Sequence, residues 1–353
     1  MQKVFYNGFL LLNLITLVII LCSSSYYILS NVKIKKAFSG NNESDFDNWT
    51  GNIMSLYNIQ MNTTICPFNF SIPDETINKV LTRWRTTEPR ENLLTTSSGG
   101  RLGNHMFRYA SLLGIAFLTG KHPLLENTDI LTKLFNISFI GIVSKKTRIF
   151  HNEVKYASYG CDHYNLPDGT VQLNGYRQSW KYFYSVRSEV RKEFTLVQTY
   201  RDLSAQCFQK YTRRHENRTV IGLHVRRTDM TWNSKHGYTA APLSYIRKAI
   251  NHMKTKFQNP IFLTATDDKN WCRENLQSSD VILMENADPY LDFATLTLCD
   301  HMIMTVGTFG WWAAWLVNGY TVYYKDYPRA GSPLASAFNK EDYFLPDWVP
   351  LGA

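Results

Sequence analysis

Residues 219–230, with the sequence TVIGLHVRRTDM, indicate the fold of this chain more clearly than any other segment. A strand-like run ends at Val225, and two arginines follow it directly. Further strand-like runs come later in the chain, at residues 261–264, 281–284, 302–306 and 321–324. Helix-like stretches separate these runs, at residues 243–257, 269–276, 290–299 and 309–317. Strands that alternate with helices predict an α/β fold with a parallel, doubly wound sheet.

Polar motifs follow three of these strands, at residues 224–229, 264–268 and 305–310. The carboxyl ends of parallel strands lie at one edge of a sheet, and ligands of doubly wound folds bind at that edge. The three motifs therefore predict a single binding site.

Two of the motifs suit a phosphate-bearing ligand. Arg226 and Arg227 could hold a diphosphate through bidentate hydrogen bonds, and ordinary salt bridges are the alternative. Gly307 and Thr308 precede a predicted helix, whose free N–H groups and dipole favour an anion. A tight turn between strand and helix is the alternative reading of that motif.

A glycine-rich loop at residues 97–104, SSGGRLGN, forms a third candidate for anion binding. Glycine allows backbone angles that other residues avoid. A helix is predicted after the loop, because apolar residues recur four, three and four positions apart at Met106, Ala110, Leu113 and Phe117. Asn104 is the expected N-cap of this helix.

The N-terminal region predicts a membrane anchor. No charged residue occurs from position 4 to position 32, which is long enough for a helix that spans a bilayer. We expect a cytosolic tail at residues 1–8, a transmembrane signal-anchor at 9–29 and an extended, glycosylated stem at 30–76. A cleaved signal peptide is the alternative.

N-glycosylation sequons place the rest of the chain in a lumenal or extracellular compartment. All of them lie C-terminal to the apolar segment, at Asn42, Asn48, Asn62, Asn69, Asn136 and Asn217. The five cysteines beyond that segment allow at most two intramolecular disulfides.

Composition argues against two classes of function. The formal net charge is +9, but it is dispersed, so we expect no nucleic-acid partner. No Cys/His cluster with zinc spacing occurs, and Asp267 and Asp268 are expected to cap a helix, so we expect no metal and no cofactor.

Five motifs in order carry a resemblance to a known family. They read GRLGNHMFRYA at 100–110, NGYRQSWKYF at 174–183, GLHVRRTDM at 222–230, DDKNWCRENL at 267–276 and DFATLTLCDHMIMTVGTFGWWAAWL at 292–316. The chain resembles the α1,2-fucosyltransferases, and more distantly the α1,6- and protein O-fucosyltransferases. This resemblance extends from about residue 93 to 348.

The resemblance implies a GT-B-type glycosyltransferase fold with two facing Rossmann-like halves. Residues 77–200 would form the acceptor side, and residues 201–353 would bind the donor, GDP-fucose. The relatives' donor-binding residues correspond here to Arg101, Asn104, His224, Arg226, Asp292, Gly307 and Thr308. Of these, Arg226 and the Gly307–Thr308 turn would hold the diphosphate, while His224 and Asp292 would contact guanine.

The acceptor side and the general base are less closely determined. Asp229 and His236 are candidates for the base, but Asp229 could instead brace the arginines. Gln178 and Trp180 are candidates for the acceptor side, with packing in the core as the alternative for the tryptophan.

Three positions depart from the family pattern. The relatives have Gln at the position of His105 and Gly at that of Thr228. Ser234 stands where the α1,6 relatives have a glutamate, so their assignment of the base does not transfer.

The expected activity is transfer of L-fucose from GDP-β-L-fucose to a galactose hydroxyl of a glycan, in α1,2 linkage and with inversion. Transfer to another acceptor or in another linkage is the alternative, and an inactive glycan-binding relative is the third reading. The resemblance implies a single-pass type II protein of the Golgi membrane with a lumenal catalytic domain. Assembly into a homodimer stays open.

Overall fold

The computed structural model describes residues 74–86, 92–144, 148–215, 217–232 and 234–353. The predicted tail, membrane anchor and nearly all of the predicted stem lie outside this part of the chain. So do four of the six sequons, at Asn42, Asn48, Asn62 and Asn69. Within the described residues, none of the helices has the length and apolar character needed to cross a bilayer.

The N-terminal half contains a small parallel sheet covered by helices. Its helices are α1 (Asp74–Thr86), α2 (Leu102–Thr119), α3 (Arg187–Glu193) and α4 (Gln198–Thr212). Its strands are β1 (Leu93–Thr96), β2 (His122–Pro123), β3 (Leu125–Glu126), β4 (Ile140–Gly141), β5 (Ile149–His151) and β6 (Val171–Leu173). The main sheet has the order β2-β1-β6-β5, and β3 pairs with β4. All these pairings are parallel.

The C-terminal half is built on a larger sheet. Its strands are β7 (Val220–Val225), β8 (Ile261–Thr266), β9 (Val281–Leu283), β10 (His301–Met304), β11 (Thr321–Tyr324) and β12 (Val349–Leu351). Its helices are α5 (Thr228–Trp232), α6 (Leu243–Lys256), α7 (Lys269–Asn275), α8 (Pro289–Leu296), α9 (Thr308–Val317), α10 (Pro333–Ala337) and α11 (Lys340–Tyr343). The strand order is β12-β11-β10-β7-β8-β9, and every neighbouring pair is parallel.

The predicted parallel α/β sheet is therefore confirmed. All five strand-like runs form strands, and the structure adds β12 as a sixth. The order reverses between β7 and β10, which is the switch point where doubly wound sheets bind ligands.

Strand register brings the polar motifs together. Val225 at the end of β7 pairs with Thr266 of β8, and His224 pairs with Met304 of β10. The residues that follow these strands consequently lie side by side. The backbone N–H of Arg226 donates to Thr305 Oγ1 at 3.0 Å across the switch point.

Helices α2 and α9 join the two halves through an aromatic core. The Phe107 ring of α2 lies 4.5 Å from the ring of Trp311 and 5.0 Å from that of Trp312, both on α9. Phe183 stacks on Trp312 at 5.4 Å. Phe107, Trp311 and Trp312 are fully buried, so this contact fixes the halves relative to each other.

The cysteines of the described residues differ in whether they are disulfide-bonded. Cys161 is disulfide-bonded, whereas Cys207, Cys272 and Cys299 are free and buried. Burial raises the pKa of the Cys272 thiol to about 11, which keeps that side chain protonated and unreactive.

Gly114 is a sensitive point of this core. A Cβ atom at this position would lie 2.0 Å from the carbonyl oxygen of Tyr182. We expect Gly114→Ala to lower the free energy of unfolding by about 3 kcal/mol or more, because backbone must move to make room. Urea denaturation measures this change. Thr119→Ala, near the end of the same helix, should cost less than about 1 kcal/mol, and equal effects of the two variants would contradict the assigned packing.

Candidate active site

A cleft of about 440 Å³ lies between the two halves, at the carboxyl ends of β7, β8 and β10. The N-terminal half contributes the glycine-rich loop and Ile130 to its wall. The C-terminal half contributes the motifs after its strands and the start of α8. The lining residues from that half are His224, Arg226, Ala265, Thr266, Asp267, Pro289, Tyr290, Asp292, Thr308 and Phe309. This volume falls in the usual range for small-molecule sites.

Arg226 is held rigidly in this cleft. Its Nε donates to Asp229 Oδ1 at 3.0 Å and its Nη2 donates to Asp229 Oδ2 at 2.5 Å. Burial opposes the guanidinium charge, but the bond to Asp229 outweighs it, so the pKa of Arg226 is raised. That bond holds the pKa of Asp229 below its usual range. The pair is therefore ionised at all physiological pH values.

The unpaired edge of Arg226 faces the start of α9. A Cβ at Gly307 would lie 2.4 Å from Arg226 Nη1, so only glycine lets the guanidinium approach this turn. Gly307 has a φ of 87° and provides no side chain to cap the helix. The first N–H groups of α9 therefore have no side-chain cap beside Nη1, and such a helix start can hold an anion.

The glycine-rich loop closes the cleft from the other half. The N-cap of α2 is Arg101, so the expectation of Asn104 as N-cap is wrong. Asn104 lies inside the first turn, where its Oδ1 accepts from Thr308 Oγ1 at 3.1 Å and from Gln178 Nε2 at 2.9 Å. Its side chain thus bridges the two halves. Arg101 reaches Asp229 Oδ2 at 3.5 Å and is 74% exposed.

Arg108 fixes the shape of this loop. Its guanidinium donates to the carbonyl of Gly99 and, at 3.0 Å, to that of Gly175. The same group lies 4.6 Å from the centre of the Tyr176 ring. These contacts tie the loop to the segment that follows β6, which contains Gln178.

The part of the wall formed by His224, Phe309 and Asp292 contains two buried titratable groups. His224 stacks on Phe309 at 5.0 Å, and burial lowers its pKa to about 4. Asp292 is 6% exposed, and burial raises its pKa to about 6 although Asn286 Nδ2 donates to it at 2.8 Å. The half-buried Tyr290 lies beside Asp292 in the wall. This part of the wall suits a planar base whose N–H groups can donate hydrogen bonds to the Asp292 carboxylate.

Of the predicted site residues, the cleft lining contains Arg101, His224, Arg226, Asp292 and Thr308. Asn104, Asp229 and Gly307 lie next to residues of that lining, whereas Arg227, His236 and Trp180 lie elsewhere. The Arg227 guanidinium packs 3.8 Å from the Trp271 ring and 3.4 Å from Asp268, away from the cleft wall. His236 is exposed in a short turn outside the lining. Trp180 is 6% exposed and its indole N–H donates to the carbonyl of Glu341, as the alternative of core packing predicted.

Gln178 does not line the cleft, and it contacts Asn104, which in turn bonds to the lining residue Thr308. It is 2% exposed, so it positions Asn104 and offers no free surface to an acceptor. The two described sequon asparagines, Asn136 and Asn217, are both exposed.

Some lining residues were missed from the sequence. The 264–268 motif was correctly predicted to lie at the site, but Asp267 does not cap a helix: its carboxylate accepts from the backbone N–H groups of Arg227 and Thr228 and orients the turn after β7. Asp268 is the actual cap of α7. Phe309 belongs to the predicted 305–310 motif, whereas Tyr290 lies inside α8, away from a strand end, and carried no such signal.

Across the described residues, no group of three or more His, Cys, Asp or Glu side chains is arranged to hold a metal ion. The adjacent acids Asp267 and Asp268 are both committed to local hydrogen bonds.

Comparison with known proteins identifies the family. Residues 58–352 match the family model described as Glycosyl transferase family 11. The chain belongs to glycosyl transferase family 11.

Several galactoside fucosyltransferases are about one-third identical to this family 11 chain. Galactoside alpha-(1,2)-fucosyltransferase 2 of Rattus norvegicus is 33% identical over 278 residues, or 74% of this chain and 77% of that protein. The protein of the same name from Oryctolagus cuniculus is 34% identical over 286 residues, covering 75% and 78%. Galactoside 2-alpha-L-fucosyltransferase SEC1 of Bos taurus is 33% identical over 288 residues, covering 75% of each.

Solved structures give more distant matches to the family 11 chain. A mutant of Arabidopsis thaliana FUT1 in complex with GDP matches with a TM-score of 0.43 and 14% identity, covering 74% of this chain and 77% of that one. POFUT1 in complex with GDP-fucose matches with a TM-score of 0.44 and 11% identity, covering 70% and 98%.

Burial of Asp292 should weaken the folded protein. A carboxyl whose pKa is higher in the folded state than in the unfolded chain contributes stability at low pH and loses it as pH rises through about 6. We therefore expect Asp292→Asn to raise the free energy of unfolding at pH 7, by up to about 3 kcal/mol. The gain should disappear near pH 4.

Denaturant unfolding of the unliganded protein between pH 4 and pH 8 measures this effect. Asp347→Asn removes the same charge from an exposed position and should change little. A lower free energy of unfolding for Asp292→Asn than for the wild type at pH 7 would contradict the raised pKa assigned to Asp292.

Proposed function

We propose that this chain transfers L-fucose from GDP-β-L-fucose to the 2-hydroxyl of a terminal galactose, with inversion. Membership of family 11 and the names of its relatives support this activity. The observation that carries it is the convergence of Arg226 Nη1 with the uncapped start of α9 in the cleft. A nucleoside diphosphate needs such an anion site.

In this proposal the chain is a GT-B-type enzyme with the cleft between two Rossmann-like halves. Residues 77–200 form the acceptor side and residues 201–353 form the donor side. Parallel sheets in both halves support this division.

In this binding mode the guanine lies against His224, Phe309 and Asp292, and the diphosphate lies beside Arg226. The Asp292 carboxylate can accept from the N–H groups of guanine, while His224 and Phe309 pack against the ring. The hydrogen bond between Asn104 and Thr308 holds the two halves in position on either side of the diphosphate.

The reaction requires stabilisation of the departing diphosphate. The galactose 2-hydroxyl oxygen bonds to fucose C1 from the face opposite the phosphate while the bond between C1 and the phosphate oxygen breaks, and the hydroxyl proton passes to water. In this step the sugar acquires oxocarbenium character and negative charge builds on GDP. Arg226 and the α9 amides are already oriented toward that charge. Such preorganised donors each contribute on the order of 3 kcal/mol in comparable sites.

Asp229 acts in this scheme by holding Arg226. Both of its oxygens are engaged by the arginine, and its lowered pKa makes it a weak base. Its second neighbour, Arg101, lowers that basicity further.

The proposed setting is the Golgi lumen, with a single-pass type II anchor at residues 9–29. The exposure of Asn136 and Asn217 supports a compartment in which sequons are glycosylated. The partners are GDP-fucose, a galactose-terminated glycan and the membrane.

Replacement of Arg226 should lower kcat far more than replacement of Arg227. We expect Arg226→Ala to lower kcat by about 100-fold or more, because a donor to the leaving group is lost. Arg227→Ala should lower kcat by less than about tenfold, since its guanidinium packs on Trp271 outside the cleft wall. Transfer of labelled fucose to N-acetyllactosamine at saturating donor measures both. Wild-type turnover by the Arg226 variant would overturn the proposed role.

The same scheme predicts turnover that does not depend on a metal ion. Arg226 and the α9 amides supply the positive charge that a divalent cation supplies in metal-dependent enzymes. Rates in excess EDTA should equal those with added Mg²⁺ or Mn²⁺. Loss of transfer in EDTA and its recovery with either cation would contradict the scheme.

A further inference from the structure

Asn286 holds the carboxylate of Asp292 in the cleft wall. Its side-chain Nδ2 donates to Asp292 Oδ1 at 2.8 Å and to Cys207 Sγ at 3.1 Å. Its Oδ1 accepts from the thiol of Cys207 at 3.5 Å. An ionised carboxylate only accepts hydrogen bonds, so the amide nitrogen of Asn286, and not its oxygen, must face Asp292. The orientation of this amide is therefore determined by its partners.

The segment that carries Asn286 is itself held in place. It lies between β9 and α8, and the Lys269 ammonium donates to the backbone carbonyl of Asn286 at 2.5 Å. The partner Cys207 is buried on α4. Asn286 is thus anchored through both its backbone and its side chain.

The charges around Asp292 make such a partner necessary. The carboxylates of Asp288 and Glu285 raise the pKa of Asp292 in addition to burial, whereas Asn286 and Lys269 lower it. The χ2 torsion of an aspartate has broad minima, so a carboxylate without a partner can rotate away from like charges. The bond from Asn286 opposes that rotation and stabilises the ionised form.

The same bond leaves hydrogen-bond acceptors free for a ligand. Each carboxylate oxygen has two lone pairs, and Asn286 uses one of them at Oδ1. Among the described residues no other side chain donates to Asp292, which lines the cleft. Two adjacent N–H groups at the edge of a planar base can therefore donate to its two oxygens. Guanine presents such a pair, at N1 and at the 2-amino group, whereas hypoxanthine presents only the N1–H.

We propose that Asn286 is a positioning residue that fixes the Asp292 carboxylate for the paired N–H groups of guanine, and that it thereby makes the cleft selective for guanine over hypoxanthine nucleotides. This inference rests on the proposed function and deepens its donor site. Asn286 acts only through Asp292 in this role and does not touch the reacting atoms.

Calorimetric titration of the detergent-solubilised full chain with GDP and with IDP, whose base is hypoxanthine, tests this role. The wild type should bind IDP about tenfold or more weakly than GDP, because a hydrogen bond to a charged group is lost. Asn286→Ala should raise the Kd of GDP about tenfold or more and reduce the ratio of the two Kd values to about threefold or less. Protein that fails to fold lowers the binding stoichiometry but leaves this ratio unchanged.

Asn286→Asp is a second variant, and it keeps the shape of the side chain. It replaces the donating NH₂ group by an oxygen, which would repel the Asp292 carboxylate. We expect it to weaken GDP binding at least as much as Asn286→Ala does. In fucose transfer both variants should raise the KM for GDP-fucose and leave kcat within about threefold, since the base is bound equally in the ground state and the transition state.

Asn275→Ala is the matched control. Asn275 is also half-buried, and its Nδ2 donates to the backbone carbonyl of Trp271 at 2.9 Å, but it lies outside the cleft lining. This variant should retain the wild-type Kd of both nucleotides within about twofold.

The outcomes separate the two proposals. A wild-type chain that binds neither GDP nor GDP-fucose would overturn the proposed function. A wild type that binds GDP and IDP equally would overturn the selectivity assigned to Asp292, and with it the role of Asn286. Unchanged Kd values in both Asn286 variants, or values for GDP and IDP that rise by the same factor, would overturn the role of Asn286 alone.

Discussion

The structure depends on the meeting of two helix starts, one from each half of the chain. Gly103 in the first turn of α2 packs directly on Thr308 in the first turn of α9, and a Cβ at Gly103 would lie 2.6 Å from the Thr308 backbone. The Asn104 side chain then links the same two turns. Because both helices point their N-termini into one cleft, their dipoles add on the same side. The aromatic contact behind them holds this arrangement in place.

The sequence predicted the C-terminal half well, because apolar strand-like runs alternate there with helix-like stretches. The strands β7, β8, β10 and β11 are apolar runs separated by helices, and parallel pairing with right-handed crossovers leaves few other arrangements. The N-terminal half offered no such pattern. Its strands have two to four residues and are joined by long irregular segments. There the resemblance of whole motifs, rather than periodicity, indicated a second half.

The site was predictable where a residue's role depends on its own strand end, as for Arg226, His224 and Gly307. It was not predictable where the partner is distant in sequence. Asn104 looked like a helix cap, but its bond partner Thr308 is 204 positions away. Arg226 and Arg227 are adjacent in sequence, but their side chains have different partners. Arg226 bonds to Asp229, whereas Arg227 packs on Trp271. Trp180 and His236 were likewise placed by contacts that no local pattern contains.

The electrostatic character of the cleft changes along its length, and that change determines how a nucleotide can bind. At one end burial keeps His224 neutral at physiological pH and penalises the charge of Asp292. Near the start of α9, Arg226, Arg101 and the helix N-terminus concentrate positive charge beside the carboxylates of Asp229 and Asp267. A diphosphate beside Asp292 would meet the negative charges of Asp288 and Glu285 as well as the cation Lys269. In the proposed binding mode the diphosphate lies beside Arg226, and the N–H groups of guanine offset their loss of hydration by donating to the Asp292 carboxylate.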